Sequence, residues 1–71
     1  SMNYKGYEAI IEYDEEDRLF VGRVINLKDI IVFDETSKDK LEQSFHHVID
    51  QYLEDCKALS KQPDQPFSLS T

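Results

Sequence analysis

Residues 7–25 read as two strand patterns joined by a turn made only of charge, and this hairpin ties the chain to folds built on an antiparallel sheet. Over Tyr7–Tyr13, Tyr7, Ala9, Ile11 and Tyr13 alternate with Glu8, Ile10 and Glu12. Successive strand side chains point to opposite faces, so one face is apolar and the other largely charged. Asp14-Glu15-Glu16-Asp17-Arg18 forms the turn. In the next strand, Leu19–Ile25, Phe20, Gly22 and Val24 share one face, and Leu19, Val21 and Ile25 share the other with Arg23. A strand apolar on both sides wants cover on both sides, which predicts a central position. Gly22 inside it marks a bulge or a close approach of another group.

A third strand is predicted over Asp29–Phe33, where Ile30-Ile31-Val32-Phe33 is again apolar on both faces. A helix follows. Thr36 or Ser37 can cap it, with Asp39 three residues after Thr36 as in a weak capping box. Leu41, Phe45, Val48, Ile49, Tyr52, Leu53, Cys56 and Leu59 fall on one helical stripe, and the helix is expected to run to about Leu59. Pro63 and Pro66 prevent its continuation. The predicted class is α+β: a small antiparallel three-stranded sheet, with room for a short fourth strand, and one long packed helix in the order β-β-β-α. The domain is expected over 1–61, with 62–71 as a Pro-bearing tail or truncated linker.

Some 22 helical residues span about 33 Å and seven strand residues about 23 Å, so the helix outruns its sheet. Its surplus apolar surface needs either the C-terminal segment folded back, with Phe67 as anchor, or a second chain. Together with the two-faced strands, this favours a homodimer or higher homo-oligomer. A chain of 71 residues is one domain and marginally stable alone.

Eight basic and fifteen acidic residues give a net charge of −7. Ser1–Asp17 holds six acids (Glu8, Glu12, Asp14, Glu15, Glu16 and Asp17) against Lys5, which is −5 of that total. Such a field repels nucleic-acid phosphates and suits a basic protein partner. Solubility is the plainer use of the same charge. A single cysteine, Cys56, makes no internal disulfide and points to a reducing, cytoplasmic setting. No apolar run approaches membrane-spanning length and no signal peptide is visible. Ser1 ahead of Met2 reads as an expression-vector remnant.

Catalytic chemistry finds little support. His46 and His47 are adjacent and point about 100° apart on a helix. Glu42 and His46 make only two ligands where a stable zinc site needs three or four. Cys56 lies on the apolar stripe with no base beside it in sequence. Asp14–Asp17 lacks calcium-loop spacing. Tyr4, Tyr7 and Tyr13 could stack on bases, but the acidic hairpin opposes it. The expectation is a non-enzyme with no cofactor and no metal.

Tyr4-Lys5-Gly6-Tyr7, Phe20-Val21-Gly22-Arg23-Val24, Val48-Ile49-Asp50-Gln51-Tyr52-Leu53 and Pro66-Phe67-Ser68, in this order and spacing, closely resemble the N-terminal domain of HicB-family antitoxins. The resemblance covers nearly the whole chain. It implies a partial ribonuclease H-like fold without the nuclease carboxylates. It further implies a binding module of a type II toxin–antitoxin system, which neutralises a HicA-like toxin, a small basic ribonuclease that cuts messenger RNA, by occluding its active site. Glu8, Glu12, Asp14, Glu15, Glu16 and Asp17 are then the candidate toxin-binding residues. Many relatives carry Gly where Arg18 stands, so the hairpin is expected to turn differently. Many also continue into a DNA-binding module. This chain stops at Thr71, so direct nucleic-acid binding and operator control are not expected of it. Two other readings stand beside this one: an orphan HicB-like oligomeric domain without a toxin, and a divergent metal-dependent nuclease supported only by Glu8 and Glu12 at strand centres.

Overall fold

The computed structural model describes residues 1–66. Four strands, β1 (Met2–Tyr4), β2 (Tyr7–Asp14), β3 (Leu19–Ile25) and β4 (Val32–Glu35), precede one helix, α1 (Lys38–Ala58). The strands form one antiparallel sheet in the order β1-β2-β3-β4, an α+β arrangement. As its two-faced apolar pattern predicts, β3 lies inside the sheet.

The short additional strand is β1, at the N-terminus, where three residues are too few for alternation to reveal. It turns into β2 through Lys5 and Gly6, with Tyr4 paired to Tyr7. Both turn residues have positive φ, 51° and 85°, as a two-residue type I′ hairpin requires.

The third predicted strand is displaced. The apolar run suggests Asp29–Phe33, but the strand is Val32–Glu35 and Ile30 is 87% exposed. Asn26 takes a φ of 63° after β3 and breaks the ladder there. The loop is held instead by Val24 N–H donating to the Ile31 carbonyl at 3.0 Å.

Ser37 caps α1, its Oγ accepting the Lys40 N–H at 3.3 Å. The other end needs no glycine. Ser60 takes a φ of 52°, Ser60 N–H donates to the Lys57 carbonyl, and Lys61 N–H donates to the Cys56 carbonyl at 2.8 Å. This is a Schellman ending with serine at the left-handed position. It turns the chain away before Leu59 can join the buried stripe, leaving Leu59 74% exposed.

The helix covers one face of the sheet. Tyr7, Ala9, Val24 and Phe33 from the strands meet Leu41, Phe45 and Ile49 from the helix. Phe33 and Phe45 stack with ring centroids 5.5 Å apart, and Tyr4 meets Phe45 edge-on at 6.3 Å. Gly22, paired to Phe33, leaves the space that the Phe33 ring occupies.

The chain after the helix returns to the sheet through Asp64. Its carbonyl accepts the Tyr7 hydroxyl at 2.7 Å, and its N–H donates to the Tyr52 hydroxyl at 2.7 Å. Its carboxylate accepts the N–H groups of Lys28 and Asp29 at 2.9 and 3.3 Å. The expected anchor of this return, Phe67, lies outside the described residues, as does most of the Pro66-Phe67-Ser68 motif.

Candidate functional site

The structure divides the six candidate acids between two places. Asp14, Glu15, Glu16 and Asp17 occupy the β2–β3 tip. Asp14 organises it, its Oδ1 accepting the N–H groups of Glu16 and Asp17 at 3.0 and 3.2 Å. Such local carboxylate-to-backbone bonding favours turns. Arg18 closes the tip with a φ of 55°, the region a glycine would adopt freely. Glu15, Glu16 and Asp17 are exposed and point no charge at the core.

Glu8 and Glu12 lie instead on the face of β2 opposite the helix. Glu8 is six residues from Asp14, about 20 Å along a strand, so it does not join the tip cluster. Glu8 and Glu12, four residues apart, stand about 14 Å from one another. Among the described residues, no group of three His, Cys, Asp or Glu side chains could hold a metal ion.

The same open face carries the residues of β3 and β4 that avoid the helix. Register places Ile10, Arg23 and Val32 in one row, and Glu12, Val21 and Asp34 in the next. Glu8 pairs with Ile25 on one side of these rows and Asp14 with Leu19 on the other. The result is a checkerboard of aliphatic and charged side chains around one cation. A shallow depression of about 200 Å³ at its centre is lined by Ile10, Glu12, Val21, Arg23 and Val32. Val32 is 57% exposed. Arg23 makes no ion pair among the described residues. The apolar pattern on both sides of Leu19–Ile25 already marked Val21 and Arg23. The contribution of Val32 and Asp34 emerged only once β4 was placed.

On the helix side, polar clusters hold the fold. Tyr4 stacks on His46 with centroids 4.0 Å apart and donates its hydroxyl to the Asp50 carboxylate at 3.0 Å. Lys5 Nζ reaches Asp50 at 2.7 Å. Hydrogen bonding to Lys5 holds the Asp50 carboxyl below its ordinary range, and the same bond raises Lys5. Around Asp64, burial pushes Tyr7 up, and burial, aided by a hydrogen bond to Asp29, pushes Tyr52 up to about 12. Both phenols are held neutral as donors. Cys56 is a buried free thiol. No helix of the described residues is long and apolar enough to cross a membrane.

The arrangement suits docking: an exposed acidic tip and an uncovered, patterned sheet face. No protein-family model, curated protein or solved structure matches this chain.

Proposed function

We propose that this chain is a HicB-like antitoxin domain with a partial ribonuclease H-like fold. It works in the cytoplasm as a self-associating interaction protein, with no catalytic residue, and neutralises a small basic HicA-like ribonuclease by covering its active site. The observation that carries this reading is the display of acid. Five units of the net charge of −7 fall in the first seventeen residues, and Glu15, Glu16 and Asp17 project from the hairpin tip, where a basic protein would meet them first. Complementary fields of this kind raise association rates and steepen their salt dependence.

Co-expression with the small basic protein encoded beside this chain tests the reading. Rescue of growth together with co-elution on size exclusion is the expected result. Toxicity that persists, with no complex, would sink it. Reversing Glu15, Glu16 and Asp17 to Lys, with Asp14 retained because it holds the turn, should slow association at least about tenfold at low salt and flatten its salt dependence. Unchanged kinetics would exclude the tip as the docking element.

A further inference from the structure

We infer that the free edge of β4 is a strand-addition site: an extended, lysine- or arginine-bearing segment of a partner protein pairs with the open backbone of Val32 and Asp34. The inference concerns a different part of the molecule from the hairpin tip and stands whatever the tip binds.

Hydrogen-bond parity fixes which groups are free. Val24 N–H donates to the Ile31 carbonyl, so further along the ladder Gly22 with Phe33 and Phe20 with Glu35 are the bonded pairs. Val32 and Asp34 alternate with these and turn their N–H and C=O groups away from β3. β4 is the last strand of the sheet, and among the described residues no backbone group bonds to these four. Both residues are exposed. The opposite edge offers less, since the three residues of β1 leave only Asn3 turned outward.

The helix supplies a second element. Lys40, Gln43, Ser44 and His47 recur at i, i+3, i+4 and i+7 and form one flank of α1. His46 and Asp50, on the other flank, reach Tyr4 of β1, so the first flank overlooks β4. Between it and Glu35 lies a cleft of about 510 Å³. A strand added one spacing beyond β4, about 4.8 Å, lies under that flank. Its side chains alternate in direction. Those turned to the helix enter the cleft, where Glu35 and Lys40 offset one another and Gln43 and Ser44 can hydrogen-bond, so an uncharged polar residue fits. Those on the open face stand beside Val32 and Asp34, which favour an aliphatic residue and a cation. Backbone bonds then hold the strand and alternate side chains select it.

Charge decides the occupant. β4 carries Asp34 and Glu35 within four residues, and the open face sets Glu8, Glu12, Asp14 and Asp34 against Arg23 alone. Charge on an edge discourages indiscriminate pairing. A second copy would present a β4 with the same two acids and is repelled, whereas a basic strand is attracted.

Amide NMR of the isotope-labelled full chain, titrated with the peptide acetyl-Lys-Thr-Lys-Gln-Val-Thr-Val-amide, tests this. Paired antiparallel, the peptide sets its second lysine beside Asp34, its glutamine in the cleft and its first valine beside Val32. Four backbone hydrogen bonds correspond to a dissociation constant on the order of 1 mM, which a titration to about 5 mM reads. The amides of Val32 and Asp34 should shift most. Glutamate in place of the two lysines should weaken binding at least about tenfold. N-methylation of the second lysine and first valine, which removes the donors to β4, should abolish it. Val32→Pro deletes one edge donor without touching the ladder to β3, at a strand start where proline is tolerated. Val32→Pro and Asp34→Lys should each weaken binding at least about tenfold with the thermal midpoint near wild type, and Asp34→Lys should invert the preference toward the glutamate peptide. Shifts confined to Glu15–Asp17 would mean plain charge attraction at the tip and would overturn the inference. So would Val32 and Asp34 amides that stay in place, or binding indifferent to N-methylation. None of these results bears on toxin neutralisation, which co-expression reads separately.

Discussion

Gly22 and Phe33 are register partners on adjacent strands, and the Phe33 ring occupies the place where a Gly22 side chain would stand. The ring stacks in turn on Phe45, one of the three large side chains sealed from solvent. The absence of a Cβ thus lets the edge strand lay its aromatic ring across β3 and under the helix.

Gly22→Ala should therefore destabilise the fold by about 1–3 kcal/mol, the usual cost of overpacking a filled core. Urea unfolding measures it. Adding Phe33→Leu, which shortens the obstructing group, should make the Gly22→Ala cost smaller than in the wild-type background. Equal costs in both backgrounds would separate the glycine from the ring.

The Lys5–Asp50 pair gives a pH signature. Asp50 is lowered from its ordinary 3.8, so its contribution is present above that pH and is lost as pH falls through the lower folded value. Lys5 is raised from 10.5, so its share is complete below 10.5 and is lost as pH rises through the higher folded value. The difference in thermal midpoint between wild type and Asp50→Asn should be flat from about pH 5 to pH 10 and shrink in acid. A difference that persists unchanged at pH 2 would contradict the assignment.

Tyr52 gives the opposite edge. Its folded value of about 12 exceeds the ordinary 10.0, so the stability it contributes is complete below pH 10 and is lost as pH rises toward 12. Absorbance of the ionised phenol should show a tyrosine step well above the ordinary 10.0. In Tyr52→Phe this late step should disappear and alkaline unfolding should become less steep. Asp64→Ala removes the acceptor of two backbone N–H groups and should cost about 1–2 kcal/mol in urea unfolding.

Arg18 and Ser60 sit at left-handed φ values of 55° and 52°. Non-glycine residues pay roughly 1–2 kcal/mol there, partly offset by glycine's greater loss of chain entropy. Arg18→Gly and Ser60→Gly should each stabilise by about 0.5–1 kcal/mol, additively, since they lie at separate turns. A loss of stability in either would show that the native side chain makes a contact worth more than the backbone relief.

The sequence made β2, β3 and the span of α1 legible because each carries a long apolar period with a clear stop. It misplaced β4 because Ile30-Ile31 has strong strand character, while the competing fact, Asp64 binding the loop backbone at Lys28 and Asp29, joins residues 35 and 36 positions apart. The end of the helix was legible, expected near Leu59 and found at Ala58 with Leu59 as its cap, but its geometry was not, because a serine performs a turn usually signalled by glycine. The division of the candidate acids was legible too, since alternation puts Glu8 and Glu12 on the charged face of β2 and Asp14–Asp17 in the turn. The register added their cross-strand neighbours, Ile25 beside Glu8 and Val21 beside Glu12.

Every strand in this sheet is hydrogen-bonded to its neighbour in the chain, and the helix comes last. As the polypeptide leaves the ribosome, the sheet can close hairpin by hairpin through short loops. During that interval both of its faces are bare, since Leu41, Phe45 and Ile49 have yet to emerge. The nascent chain is then at its most adhesive, and the acids of the first seventeen residues, synthesised ahead of every large core residue but Tyr7, surround it with charge of one sign. Charge of one sign beside bare strands opposes contacts between such chains, so the acids that open the sequence guard the sheet during the interval in which it has no cover.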